Sequence, residues 1–92
     1  MKKVLFILPV MALSGCLGIL PEGIKAEDVA AYEAAAATIG CKMVGEPDYL
    51  AVEFQAGLTR EQSTAITSFM LANDRAEKLP DGGAKITSGA CA

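Results

Sequence analysis

Apolar positions follow two different patterns along this chain. Residues 4–13 form an apolar run of ten, interrupted only by Pro9 and preceded by Lys2 and Lys3. A bilayer span needs about 20 such residues, so the run is too short to cross a membrane. Further on, the apolar positions become periodic. Over residues 25–39 the alanine content and the absence of Pro predict a helix. Val29, Tyr32, Ala36 and Ile39 fall at helical spacing and would face a core, with Glu27, Asp28 and Glu33 on or near the exposed side. Glu27 and Asp28 suit a helix N-terminus, and Gly40 suits its end. Cys41-Lys42-Met43-Val44 reads as a short strand closed by the turn Gly45-Glu46-Pro47-Asp48. Residues 49–56 fit two periods. Leu50, Val52 and Phe54 alternate as in a strand, while Leu50, Phe54 and Leu58 are spaced as in a helix. Pro47 and Asp48 as a start and Gly57 as a stop favour the helix.

Thr59 and Gln62 form a capping box, each side chain satisfying a free backbone N–H of the other. Ala65, Ile66, Phe69 and Met70 continue an apolar stripe to Asn73. Two short extended runs around Pro80-Asp81-Gly82-Gly83 then predict a β-hairpin. The order is helix, short strand, helix, helix, hairpin, an α+β fold. This order resembles the winged-helix arrangement, on element order across residues 25–88 and not on a residue motif. The resemblance implies that the first strand pairs with the hairpin and that the middle helices form a helix-turn-helix.

The apolar run near the N-terminus has the length of a signal-peptide h-region, with Lys2 and Lys3 as its positive flank. It leads into Leu13-Ser14-Gly15-Cys16. This resembles the lipobox of bacterial lipoproteins: an apolar residue, two small residues, then the cysteine. The resemblance implies a leader over residues 1–15, cleavage before Cys16, a thioether-linked diacylglyceryl group on Cys16, and a further acyl chain, such as palmitate, on the new amino group. Leu17 rather than Asp follows the cysteine, which in the enterobacterial sorting pattern implies the outer membrane, facing the periplasm. Residues 16–24, with Gly18, Pro21 and Gly23, read as a tether, and residues 25–92 as the domain.

With Cys16 lipidated, Cys41 and Cys91 remain. Export would place them in an oxidising compartment, where such pairs join. Cys41 opens the first strand and Cys91 lies beyond the last. In the winged-helix-like sheet those strands are neighbours, so a disulfide is expected. A redox-active pair would call for a Cys-x-x-Cys spacing or a basic neighbour, and neither is evident.

Composition narrows the chemistry further. The chain has no His, which removes the commonest general base and metal ligand. Two thiols alone are too few ligands for a metal site, and no cofactor is implied. Without residues 1–15 the chain keeps 6 basic and 11 acidic residues, a net charge of −5. Phosphate binding needs a dense basic face, so a nucleic-acid partner is not expected. Ser63, Thr64, Thr67 and Ser68 cluster on the outward side of the predicted third helix with no base beside them, so none reads as a nucleophile. Together with Leu71 they are the candidate surface for a protein partner. The expected function is a non-catalytic binding or assembly module of the cell envelope. The alternative is a small exported protein whose chemistry uses Cys41 and Cys91.

Overall fold

The computed structural model describes residues 19–92. The expected leader, Cys16 and the first residues of the expected tether lie outside the described residues. Three helices and a three-stranded antiparallel sheet follow one another in the order predicted. Helix α1 spans Ala26–Ala37, strand β1 Lys42–Met43, helix α2 Glu46–Ala56, helix α3 Arg60–Ala72, and strands β2 and β3 Ala76–Lys78 and Ala84–Ile86; a single 3-10 turn, Gly89–Cys91, closes the chain. No helix among the described residues is long and apolar enough to cross a membrane.

Local chemistry sets each boundary. The Asp28 carboxylate accepts from the Lys25 backbone N–H at 2.9 Å and starts α1. Asp48 does the same for Val44 and Gly45 at the head of α2, at 2.9 and 3.3 Å. At α3 the capping box is closed from both sides, with Thr59 N–H to Gln62 Oε1 at 2.9 Å and Gln62 N–H to Thr59 Oγ1 at 3.1 Å. Gly57 ends α2 in the left-handed region at φ 70°, a conformation that favours glycine. The ambiguous residues 49–56 are therefore helical.

The sheet order is β1-β3-β2, with Lys42 opposite Lys85 and Glu77 opposite Lys85. This places the first strand beside the last, an order compatible with a winged-helix-like arrangement. The core combines Val29, Tyr32, Ala35 and Ala36 of α1, Met43 of β1, Val52 of α2, Ile66, Phe69 and Met70 of α3, and Ile86 of β3. Alanines at the α1 contact leave room for close helix packing. Two expectations need correction. Glu33 is buried, not exposed. The tether also docks sooner than Lys25: Ile24 is buried, Leu20 packs against the core, and Ile24 N–H bonds Pro21 O at 3.1 Å. Burying these two apolar side chains offsets part of the cost of ordering residues 20–24.

Cys41 and Cys91 are disulfide-bonded, with Cα atoms 5.8 Å apart across a sequence separation of 50. Cys41 itself sits at φ 65°, in the left-handed region. A non-glycine residue there costs on the order of 1–3 kcal/mol and persists only where its surroundings hold it. The bridge does so, together with the bond from Ile86 N–H to Cys41 O at 2.7 Å.

On the loop-entropy account, a bridge of this span stabilises by roughly 4 kcal/mol. Reduction, or Cys41→Ala with Cys91→Ala, is expected to lower unfolding free energy by about 2–4 kcal/mol in urea titrations. An unchanged midpoint would show that the helices hold the sheet without it.

Candidate functional site

The residues singled out from the sequence do not form one surface. Thr64 and Ser68 of α3 are exposed, but Ser63 is fully buried and Thr67 nearly so. Leu71 is only partly exposed and packs against the core. The five-residue partner surface is thus reduced to Thr64 and Ser68. The cause is local hydrogen bonding. Ser63 Oγ donates to Glu53 at 2.6 Å, and Thr67 Oγ1 lies 2.9 Å from Ser63 O and 2.6 Å from the Tyr32 hydroxyl. Hydroxyls whose partners lie within the fold bury at little cost. Burial pushes the Tyr32 phenol up to about 12, against the opposing effect of its bond to Thr67.

Two ionic clusters organise the polar groups. The first joins α2 to α3. Arg60 makes a bidentate pair with Glu46, at 2.9 Å for each bond, and a second pair with Glu53. Its guanidinium also lies 5.3 Å from the centre of the Tyr49 ring. Hydrogen bonds from Arg60 hold both carboxyls below their usual range, and those carboxylates raise Arg60 further. The second cluster centres on the buried Glu33. Its Oε2 accepts from Arg75 at 2.7 Å and from Ser88 Oγ at 2.6 Å. Gly89 presses against the same carboxylate. A side chain there would run into it, and its φ of 58° disfavours one anyway. Cys91 Sγ lies 3.9 Å from Glu33 O, so the staple and the carboxylate share one corner of the molecule.

Two large apolar side chains of α2 stay exposed. Phe54 is 90% exposed and Leu50 54%. With the exposed Pro47 they form a stripe along α2 at spacings of three and four residues. The sequence fitted Leu50 and Phe54 to both a strand and a helix period and did not mark them as an outward face. The missed signal was a second apolar series on the same helix, Tyr49, Val52 and Ala56, which is the one turned inward. An open groove of about 400 Å³ runs between Glu22, Gly23 and Ile24 and the start of α3 at Thr59, Glu61, Gln62 and Ala65.

Cys16 lies outside the described residues, so its surroundings are not part of this geometry. Comparison with protein-family models, with curated proteins and with solved structures finds no match.

Each ionic cluster generates a prediction. Carboxyls held low contribute stability that is present above their ordinary range and lost as pH falls through the folded value. The stability gap between wild type and Arg60→Gln is therefore expected to be largest near neutral pH and to shrink on acidification, as read by thermal unfolding. A gap independent of pH would assign the effect of Arg60 to its packing on Tyr49 alone.

At the other cluster, Glu33→Gln should cost about 1–3 kcal/mol, the range for a buried bond left poorly satisfied. Arg75 is 37% exposed and can rehydrate, which keeps the loss below that of a fully buried pair. Gly89→Ala should destabilise as well, and the double variant should lose less than the sum. Additive losses in urea unfolding would mean that the two positions do not act through one contact.

Proposed function

We propose that this chain is an exported bacterial lipoprotein, held to the cell envelope by lipid on Cys16, whose small domain is a non-catalytic module for binding or assembling a protein partner. The observation that carries this reading is how the cysteines divide. Cys41 and Cys91 pair with each other. The third, Cys16, ends the lipobox-like run Leu13-Ser14-Gly15-Cys16. A structural disulfide suits an oxidising compartment outside the cytoplasm, which is where a lipobox leads. Leu17 after the cysteine favours an outer-membrane address facing the periplasm.

A binding role is supported by how the polar groups are used. Glu33, Glu53, Ser63, Thr67 and Tyr32 are each bonded to another residue of the fold. Thr64, Ser68, the outer face of α2 and the hairpin around Asp81 remain turned outward. The same exposed elements suit contact with another macromolecule.

Intact-mass analysis of the protein purified from membranes tests the anchor and the staple together. The expected species begins at Cys16, carries diacylglyceryl and acyl mass, and lacks the thiol hydrogens of Cys41 and Cys91. A different N-terminus without lipid mass would refute the anchor. Gentle crosslinking in the envelope tests the binding role, and recovery of the lipoprotein always alone would count against it.

A further inference from the structure

We infer that the outward stripe of α2, Pro47, Leu50 and Phe54, is a membrane-resting surface that lies in the acyl–headgroup boundary of the bilayer carrying the anchor. This inference rests on the lipid anchor proposed above and adds to it the face by which the domain meets the membrane.

The first argument is what α2 does with its charges. Asp48 caps the helix's own N-terminus. Glu46 and Glu53 are paired with Arg60. Gln55 is bonded to Thr38 at 3.0 Å. Every charged group of the helix thus has a partner within the fold, and the stripe itself carries none. A phenylalanine 90% exposed on a charge-free helix face suits an interface that is apolar on one side and wet on the other.

The second argument is reach. Residue 20 already packs on the core, so only residues 17–19 separate it from Cys16. Four peptide steps span at most about 14 Å, so the lipid on Cys16 would keep this end of the domain at the bilayer. Ile19, on that short stretch, is 72% exposed. The tether residues Glu22, Gly23 and Ile24 line one groove with Thr59. Phe54 is five residues before Thr59, within about 18 Å even for extended chain. Phe54, at the C-terminal end of the stripe, is thus no more than about 18 Å from the residue against which the tether docks.

The third argument decides between a membrane and a protein as occupant. A stable interface with a free protein buries about 1,000 Å² or more over the two partners together, about half of it on each, which three side chains alone do not supply. A surface already tethered beside its target works at high effective concentration, so a weak patch is sufficient. The described residues carry 6 basic and 11 acidic side chains, so the docking is apolar, with zwitterionic lipid.

The chain has no Trp, so a single one introduced is an unambiguous reporter. The Phe54→Trp variant is purified lipidated from membranes, its lipid mass verified, and reconstituted into phosphatidylcholine vesicles. Because Phe54 is so exposed, the substitution disturbs no packing. Its emission is expected to shift to the blue and to lose most of its intensity when the acyl chains are brominated near the headgroup. A companion Glu77→Trp variant on the hairpin should show neither change. Lipid-bearing protein whose Phe54→Trp emission stays water-like and unquenched overturns this inference while leaving the anchor intact. Protein without lipid mass overturns both. A blue shift that grows with protein density and is not quenched by bromolipid assigns the stripe to a second copy of the chain and also overturns it.

Discussion

A carboxylate that must not be left alone organises this domain. Glu33 lies on the buried side of α1, where an ionised group without partners costs several kcal/mol. Its two strong donors come from far along the chain: Arg75 at the junction of α3 and β2, and Ser88 just after β3. Satisfying Glu33 therefore brings the end of α3 and the end of the sheet to the middle of α1. Gly89 then has to be glycine, because no side chain fits against the carboxylate. The disulfide closes the same corner, and the turn at Gly89–Cys91 packs on α1. Arg60 plays the corresponding part for α2 and α3 on the opposite, wetter side, where salt and solvent weaken what it does.

Much of the fold was legible because the signals were local. Thr59 and Gln62 cap α3 as their spacing requires, and Asp48 and Gly57 bound α2 as helix start and stop. The pairing of Cys41 with Cys91 followed from placing the first strand beside the last. The core-facing apolar positions of α1 and α3 were legible too, but the polar faces were not. Glu33 reads as surface because carboxylates usually are, and its partners lie 42 and 55 residues away. Ser63 and Thr67 read as a polar face, yet a hydroxyl that bonds the carbonyl three or four residues back is already satisfied and buries easily. Along α2 two apolar series compete, and only packing against α1 and α3 decides that Val52 goes in and Phe54 stays out.

These face assignments bear directly on function. Two of the four hydroxyls that looked available for a partner, Ser63 and Thr67, turn out to be fastened inside the domain. The outward apolar face lies on α2, where the sequence showed two competing periods. The domain pairs its least exposed carboxylates, Glu33 and Glu53, with arginines and keeps one apolar edge along α2.

The sheet has one more consequence. Its outer strands are only two and three residues long, and they present Lys42, Glu77 and Lys78 to solvent. So few unpaired backbone groups, fenced by charge, make a poor template for another chain's strand. Molecules confined to a membrane plane meet far more often than molecules in solution. Under the proposed anchoring, sheet margins this blunt would keep neighbouring copies from pairing edge to edge.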